Sequence, residues 1–341
     1  MSEAPQGGPW LITGASGFLG RHLLTAIESA GTSHPPVALV RNPVAWQAME
    51  WTRALRGVQT LTGSVTEPDV WTKDPLLTNL AGIFHLAAIV QHSRREAGLV
   101  RRTIVEGTLG MVRLAAARGC RLVFVSSSGT VACSRRAEDT ADEESPFRER
   151  ELRGWPYYRS KVEAEQQARR LAEQVGADLV IVRPPVLLGP GDHRFRSSDY
   201  ILRFLRGRIP FLIRGGMHFA DVRDVARALV GVMELPRARP IYHLPGTVCS
   251  LEEFYGQVAA LAGKRVPRFI MPFRPAWLLA TLAQRVGLGL LPEPSLIEMA
   301  SHHWGMQSRY SAAELGYVSR PGNETLADTI AWLRAEIPEL K

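Results

Sequence analysis

A chain of 341 residues, 45% hydrophobic and 22% charged, is roughly twice the size of an average domain and has ample apolar surface to bury, which excludes a peptide-sized or disordered protein. Lys and Arg exceed Asp and Glu by eight. The basic residues fall in isolated pairs such as Arg101-Arg102, Arg135-Arg136 and Arg169-Arg170 rather than in a stripe, so no nucleic-acid partner is expected.

Met1 to Pro9 carries neither a basic start nor an apolar run, so no secretory leader is expected. Cys120, Cys133 and Cys249 are odd in number, far apart and without Cys-x-x-Cys spacing, so neither a disulfide framework nor a metal site is expected. A reducing, cytoplasmic setting fits both. Trp10 to Thr13 is a short apolar run that meets a glycine-rich turn, after which Phe18 to Ile27 has helical spacing. In Thr13-Gly14-Ala15-Ser16-Gly17-Phe18-Leu19-Gly20 the glycines stand three apart between strand and helix. There the backbone can approach a pyrophosphate and the helix N-terminus offers unpaired N–H donors. Twenty-one residues after Gly20, at the end of the second strand, stands Arg41, where an enzyme choosing NAD usually carries an acid for the ribose hydroxyls. A guanidinium there suits the 2′-phosphate of NADP instead.

Further strands are expected at Val37 to Val40, Val58 to Leu61, Ile83 to Leu86, Leu122 to Ser126 and Leu179 to Val182, with helices at Val105 to Arg118 and Tyr157 to Val175 between them. Strands alternating with crossover helices pair in parallel and are covered on both faces, which explains their continuously apolar character. The expected fold class is α/β: a doubly wound parallel Rossmann sheet with a smaller, mainly helical C-terminal substrate lobe. The coenzyme domain is expected over residues 1–185 plus about 219–248, and the lobe over about 186–218 plus 249–341. Asp221 to Leu235 reads as a helix and Ile241 to Leu244 as a strand rejoining the sheet. Ser250-Leu251-Glu252-Glu253 is a capping box that starts a helix running to about Leu261.

Two clusters carry candidate chemistry. The fifth strand runs into Ser126-Ser127-Ser128-Gly129-Thr130 at the carboxyl end of the sheet, where ligands of such folds sit. Spacing does not choose between Ser127 and Ser128 as the hydroxyl for a substrate oxygen. Tyr157 and Lys161 stand at i and i+4 on one helix face, a pairing that seven Tyr and four Lys would produce by chance about 0.08 times in this chain. A phenol with a pKa of ~10 is a poor acid near neutrality. An ammonium ~4 Å away is worth about 4 kcal/mol at intermediate dielectric, enough to lower that value by up to about 3.

Other features are less specific. His92-Ser93-Arg94-Arg95 and His193 are placed to form the lip of the site, or to be exposed approaches to it. The arginines at 194, 196, 203, 206, 208 and 214 suit a diphosphate clamp or a solvated surface. Pro275 to Gln284 is half the ~20 residues needed to span a bilayer, so no transmembrane helix is expected. Met271 to Leu291 reads most simply as buried core of the small lobe, with a pocket wall or a peripheral membrane contact as alternatives.

The chain resembles the extended short-chain dehydrogenase/reductase family, and within it the dihydroflavonol-reductase and 3β-hydroxysteroid-dehydrogenase branch. The motifs are TGASGFLG (13–20), HLAA (85–88), VSSSGT (125–130), YYRSK (157–161), RPPVLLGPGD (183–192) and DVRDVARA (221–228). The resemblance implies that Gly14, Gly17 and Gly20, with Ser16, Phe18 and Leu19 of the same turn, seat the pyrophosphate. It implies that Ala87 and Pro184 line the coenzyme, with Ser64 and Val65 beside its adenine. Ser128 would orient a carbonyl and Tyr157 transfer the proton, while Lys161 both holds the nicotinamide ribose and tunes Tyr157. Two positions depart from the family pattern: Ile104 replaces an Asn that often supports the active-site helix, and Ser64 replaces an Asp that contacts adenine.

The expected activity is NADP-dependent reduction of a ketone, or oxidation of the secondary alcohol, of a hydrophobic small molecule, with NAD as the alternative coenzyme. A nucleotide-sugar epimerase with tightly held NAD is the second reading, and a non-catalytic coenzyme sensor the third. A dehydratase is disfavoured because Ser-Ser-Ser lacks the additional acid of an elimination. A homodimer is expected from the resemblance.

Overall fold

The computed structural model describes residues 7–91, 96–286 and 291–340. The expectation at His92 to Arg95 lies outside them. Seven strands pair in parallel in the order Ile241–His243, Leu179–Arg183, Arg121–Val125, Gly82–His85, Trp10–Thr13, Pro36–Val40 and Gln59–Thr62. Alternate residues of each strand enter opposite cores. Ile12, Ala38, Phe84, Val123 and Val182 pack under the helices Phe18–Ala30 and Val222–Glu234. Leu11, Val37, Ile83 and Leu122 pack on the other face, where the helices Gly107–Arg118 and Pro156–Val175 lie. Both sides of every central strand are covered, which is why none shows polar alternation.

The order reverses between Trp10–Thr13 and Gly82–His85, and the crevice at that switch point is where such sheets take ligands. Gly14 adopts φ +73 to make the turn there, and Gly20 packs on its carbonyl so closely that a Cβ would meet Gly14 O at 2.4 Å and Ala15 O at 2.6 Å. The helix begins at Phe18 with no side-chain cap, so its first N–H groups are left open to the crevice.

A second sheet places Val186–Leu188 parallel to Gly216–Asp221, which pairs antiparallel with Thr247–Ser250. Its apolar partners form a separate cluster that includes Leu188, Ile201, Phe204, Phe219, Phe254 and Leu326. Asp221 ends the middle strand and caps the helix Val222–Glu234 by accepting from Arg223 N at 2.9 Å. The capping box at Ser250 and Glu253 forms and starts the helix Leu251–Ala262.

Two segments differ from expectation. The helix expected from Val105 is preceded by a wider, π-helical turn over Arg102–Glu106. From the helix that follows, the Thr108 hydroxyl donates to Ile104 O at 2.5 Å, and Ile104 packs with Phe124, Ala164 and Ile181. With no amide at 104, the contacts of this position are apolar packing and a neighbouring hydroxyl. Met271 to Leu291 is not buried core in its described part. The helix Phe273–Arg285 buries only its small Ala276 and Ala280, while Trp277, Leu278, Leu279 and Leu282 are exposed. Among the described residues no helix is long and apolar enough to cross a membrane.

Candidate active site

One cleft of about 1040 Å³ runs from the phosphate turn to the small lobe. Gly14, Ser16, Gly17, Phe18, Leu19, Gly20, Arg41, Ser128, Tyr157, Lys161 and Pro184 all line it. Ser64 and Val65 stand just after the strand Gln59–Thr62, and Ala87 just after Gly82–His85. Ser64 O accepts from Trp71 Nε1 at 2.8 Å, and Val65 is buried where a Cβ on Gly107 would touch it. Ala87 backs the turn, its N–H donating to Thr13 Oγ1 at 3.3 Å, while its neighbours Leu86 and Ala88 face the cleft.

A thread of polar groups fixes the strand ends beneath this turn. His85 is fully buried, bonded through Nδ1 to Thr13 Oγ1 at 2.8 Å and through Nε2 to Thr108 Oγ1 at 3.1 Å. Thr108 gives its own proton to Ile104 O, so it accepts from His85 Nε2–H, and Nδ1 accepts from Thr13. Burial pushes His85 down to about 3, with the Lys161 charge acting in the same direction, and the imidazole stays neutral.

Lys161 is buried at the cleft floor. Its Nζ donates to Val125 O at 2.7 Å and lies 4.7 Å from the Phe124 ring centroid. Desolvation lowers its pKa to about 7, against the raising influence of the Glu165 carboxylate. The Tyr157 phenol moves the other way: burial pushes it up to about 12, opposed by a hydrogen bond from Ser127. The expected tuning of Tyr157 by Lys161 is not among these influences. Desolvation dominates, and the group that lowers the phenol is a hydroxyl. The same contact distinguishes the serines. Ser127 is the one bonded to Tyr157, whereas Ser128 donates its backbone N–H to Pro184 O at 2.9 Å and opens the short helix Gly129–Ala132.

Glu165 completes the face one turn beyond Lys161, and a sequence reading centred on Tyr and Lys passes over it. Its carboxylate accepts from Ser126 Oγ at 2.5 Å and from Arg183 Nε and Nη2 at 3.1 and 2.5 Å, all of them buried. Arg183 also donates to His243 Nε2 at 3.2 Å. This bidentate pair ties the helix that carries Tyr157 and Lys161 to the strand that leads to Pro184. The available signal is the i, i+4, i+8 spacing of Tyr157, Lys161 and Glu165.

The far end of the cleft is apolar. Tyr255, Leu296, Met299 and Trp304 line it with Tyr158, whose ring stacks on Trp304 at 5.5 Å. His218, also on this wall, has both ring nitrogens engaged, with Trp304 O and Gly246 N each at 2.9 Å, and burial lowers it to about 4. It presents a neutral ring to the cleft. Arg194 and Arg196 also line the cleft, while Arg203 pairs with Asp199 and Arg206 with Glu339. His193 is hydrogen-bonded to Arg21, a cleft residue that sequence reasoning did not single out.

The model of the NAD dependent epimerase/dehydratase family matches residues 10–244. The chain belongs to this family. Tetraketide alpha-pyrone reductase 1 of Arabidopsis thaliana is 31% identical over 77% of this chain and 82% of its own length. Dihydroflavonol 4-reductase of Zea mays is 29% identical over 80% and 78%. Among solved structures, MoeE5 in complex with UDP-glucuronic acid and NAD superposes with a TM-score of 0.71 at 25% identity, covering 97% of this chain and all of that one. This member of the epimerase/dehydratase family is thus an NAD(P)-dependent oxidoreductase with a Rossmann fold.

The residues present fit a dinucleotide. The glycine cradle at Gly14 and Gly20 leaves no space for a Cβ but leaves the helix N-terminus bare. Further along the same wall, Trp51 Nε1 is buried without a hydrogen-bond partner among the described residues, a donor that a bound polar group would satisfy.

Proposed function

We propose that the protein is an NADP(H)-dependent ketoreductase acting on an apolar small molecule. The observation that carries this reading is one cleft holding, in sequence, a phosphate cradle, the hydrogen-bonded Ser127–Tyr157 pair over a buried Lys161, and an aromatic and aliphatic wall. On this reading residues 1–185 with about 219–248 hold the coenzyme, and the remaining lobe encloses the substrate.

Bound nicotinamide coenzyme supplies the hydride. The chain does the rest. Gly14 to Gly20 hold the pyrophosphate through backbone N–H groups, and Lys161 holds the nicotinamide ribose. Ser127 donates a hydrogen bond to the ketone oxygen and places it against Tyr157. As charge develops on that oxygen, the Tyr157 hydroxyl releases its proton to it, and the Lys161 ammonium one turn away offsets the phenolate that remains. The apolar wall excludes water and strengthens both interactions.

Oxidoreduction is tested by NADPH consumption across a panel of aryl and alkyl ketones. Steady consumption is expected. As-purified protein that keeps NAD tightly bound, and epimerises a nucleotide sugar without consuming added NADPH, would support the second reading, which Arg194 and Arg196 in the cleft lining favour.

Coenzyme choice rests on Arg41, exposed at the cleft edge and without an ion-pair partner among the described residues. Arg41→Ala should weaken NADP(H) about 10- to 100-fold, the factor for one charged hydrogen bond of ~1.5–3 kcal/mol, and leave NAD(H) nearly unchanged. Fluorescence titration of both coenzymes checks this. Tighter NAD(H) binding in the parent, indifferent to Arg41, would shift the choice to Glu50, which lines the same end.

The pH dependence follows from Lys161. Its ammonium form is needed and is present below about 7, whereas Tyr157 keeps its proton up to about 12. kcat/KM for ketone reduction should therefore be level at acid pH and fall above about 7. Stability should respond oppositely for this residue. Between about 7 and the ordinary value of 10.5 the unfolded chain binds the Lys161 proton and the folded chain does not, so its contribution to stability rises with pH. A pH–rate profile with no break near neutrality would remove Lys161 from this role.

A further inference from the structure

The helix Phe273–Arg285 is two-sided, and only its small alanines face inward. Leu278, Leu282 and Val286 stand four residues apart on the opposite side, with Leu279 beside them, so they form one outward apolar stripe. Leu278 and Val286 leave 53% and 69% of their surface exposed, and Phe269, just before the helix, 59%. A folded surface rarely displays so many large apolar side chains together.

The charge of the segment that carries them is of one sign. From Phe254 to Pro292 there is no Asp or Glu, in a chain that has 33 of them, and Lys264, Arg265, Arg268, Arg274 and Arg285 are all exposed. Arg274 and Arg285 sit on the same border of the stripe, and the exposed Trp277 adds a ring of the kind that settles at a headgroup boundary.

We propose that this face docks on an anionic lipid bilayer, with the leucine stripe entering the headgroup boundary and the arginines meeting lipid phosphates. A second copy is a poor occupant, because a two-fold contact would set these cations against themselves, and the segment 254–292 has no carboxylate of its own to meet them. The helix packs on Pro294–Ala300, whose Leu296 and Met299 line the apolar end of the cleft. Docking therefore brings the substrate end of the cleft to the membrane surface. That last consequence rests on the ketoreductase reading, whereas docking itself does not.

Co-sedimentation of the full chain with phosphatidylcholine vesicles, with and without phosphatidylglycerol, tests the proposal independently of turnover. The expected result is pelleting with the anionic vesicles that weakens as salt is raised. Leu278→Glu/Leu282→Glu should reduce partitioning roughly tenfold or more, with circular dichroism and coenzyme binding unchanged because both positions are exposed. Arg274→Gln/Arg285→Gln, which keeps the leucines, should lose the preference for phosphatidylglycerol. No pelleting with anionic vesicles, or pelleting that the leucine variant retains, overturns the proposal. So does a dimer of the parent in sedimentation velocity that the leucine variant converts to monomer, since the face would then be covered by a second copy.

Discussion

Replacing Tyr157 by Phe is expected to lower ketone turnover by about 10²- to 10⁴-fold, the range for loss of a positioned general acid, while coenzyme binding stays within a factor of a few. The phenol is the proton donor of the proposed reaction, and its high pKa keeps the proton available throughout the working range. Ser127→Ala should produce the next largest loss and Ser128→Ala a small one, because Ser127 is the hydroxyl that lowers the Tyr157 phenol. Steady-state kinetics on whichever ketone the parent reduces gives the comparison. Undiminished turnover by Tyr157→Phe would refute the proposed mechanism, and an equal loss from Ser128→Ala would reassign the carbonyl contact.

The largest effect on stability is expected at the buried Glu165–Arg183 pair. Glu165→Ala leaves the Arg183 guanidinium without its carboxylate in a fully buried site, and removing one partner of such a pair costs about 3–5 kcal/mol. At an unfolding entropy of ~2.1 cal/mol/K per residue, this corresponds to a melting temperature lower by roughly 4–7 °C. The double replacement Glu165→Leu/Arg183→Met should cost less than the sum of the singles, since it leaves no orphaned charge. Calorimetry on the parent, Glu165→Leu, Arg183→Met and the double replacement measures the coupling, and strict additivity would show that the pair does not act as a unit. Glu165→Gln separates position from charge. It keeps the shape but removes the carboxylate that raises the Lys161 pKa, so the break in the pH–rate profile should move to lower pH.

The fold was legible because its signals are local. Strands covered on both faces read as apolar runs, and Gly14 to Gly20 punctuate the first crossover. The cap at Ser250 declared itself through Glu253 three residues on. The site was legible to the extent that its groups share one helix face, as Tyr157 and Lys161 do. Ser127 was not separable from Ser128, because two adjacent hydroxyls on a turn are distinguished only by which one points at a phenol on another element. Ser64 and Val65, placed at the coenzyme by resemblance, also hold the loop after the third strand against Trp71 and Gly107.

Sequence alone determined the element order, the glycine turn and the Tyr-Lys spacing, since each depends on neighbours within one or two helical turns. Tertiary structure alone decided the ionisation of the site: Lys161 and Tyr157 carry shifts set by how much protein surrounds them, and by Val125, Glu165 and Ser127 arriving from elsewhere. It likewise decided that the leucines of Phe273–Arg285 face outward, because the helix offers both an alanine side and a leucine side and only packing selects which is covered. Burial and charge contact are properties of distance in space, and distances between segments are fixed only when the chain closes on itself.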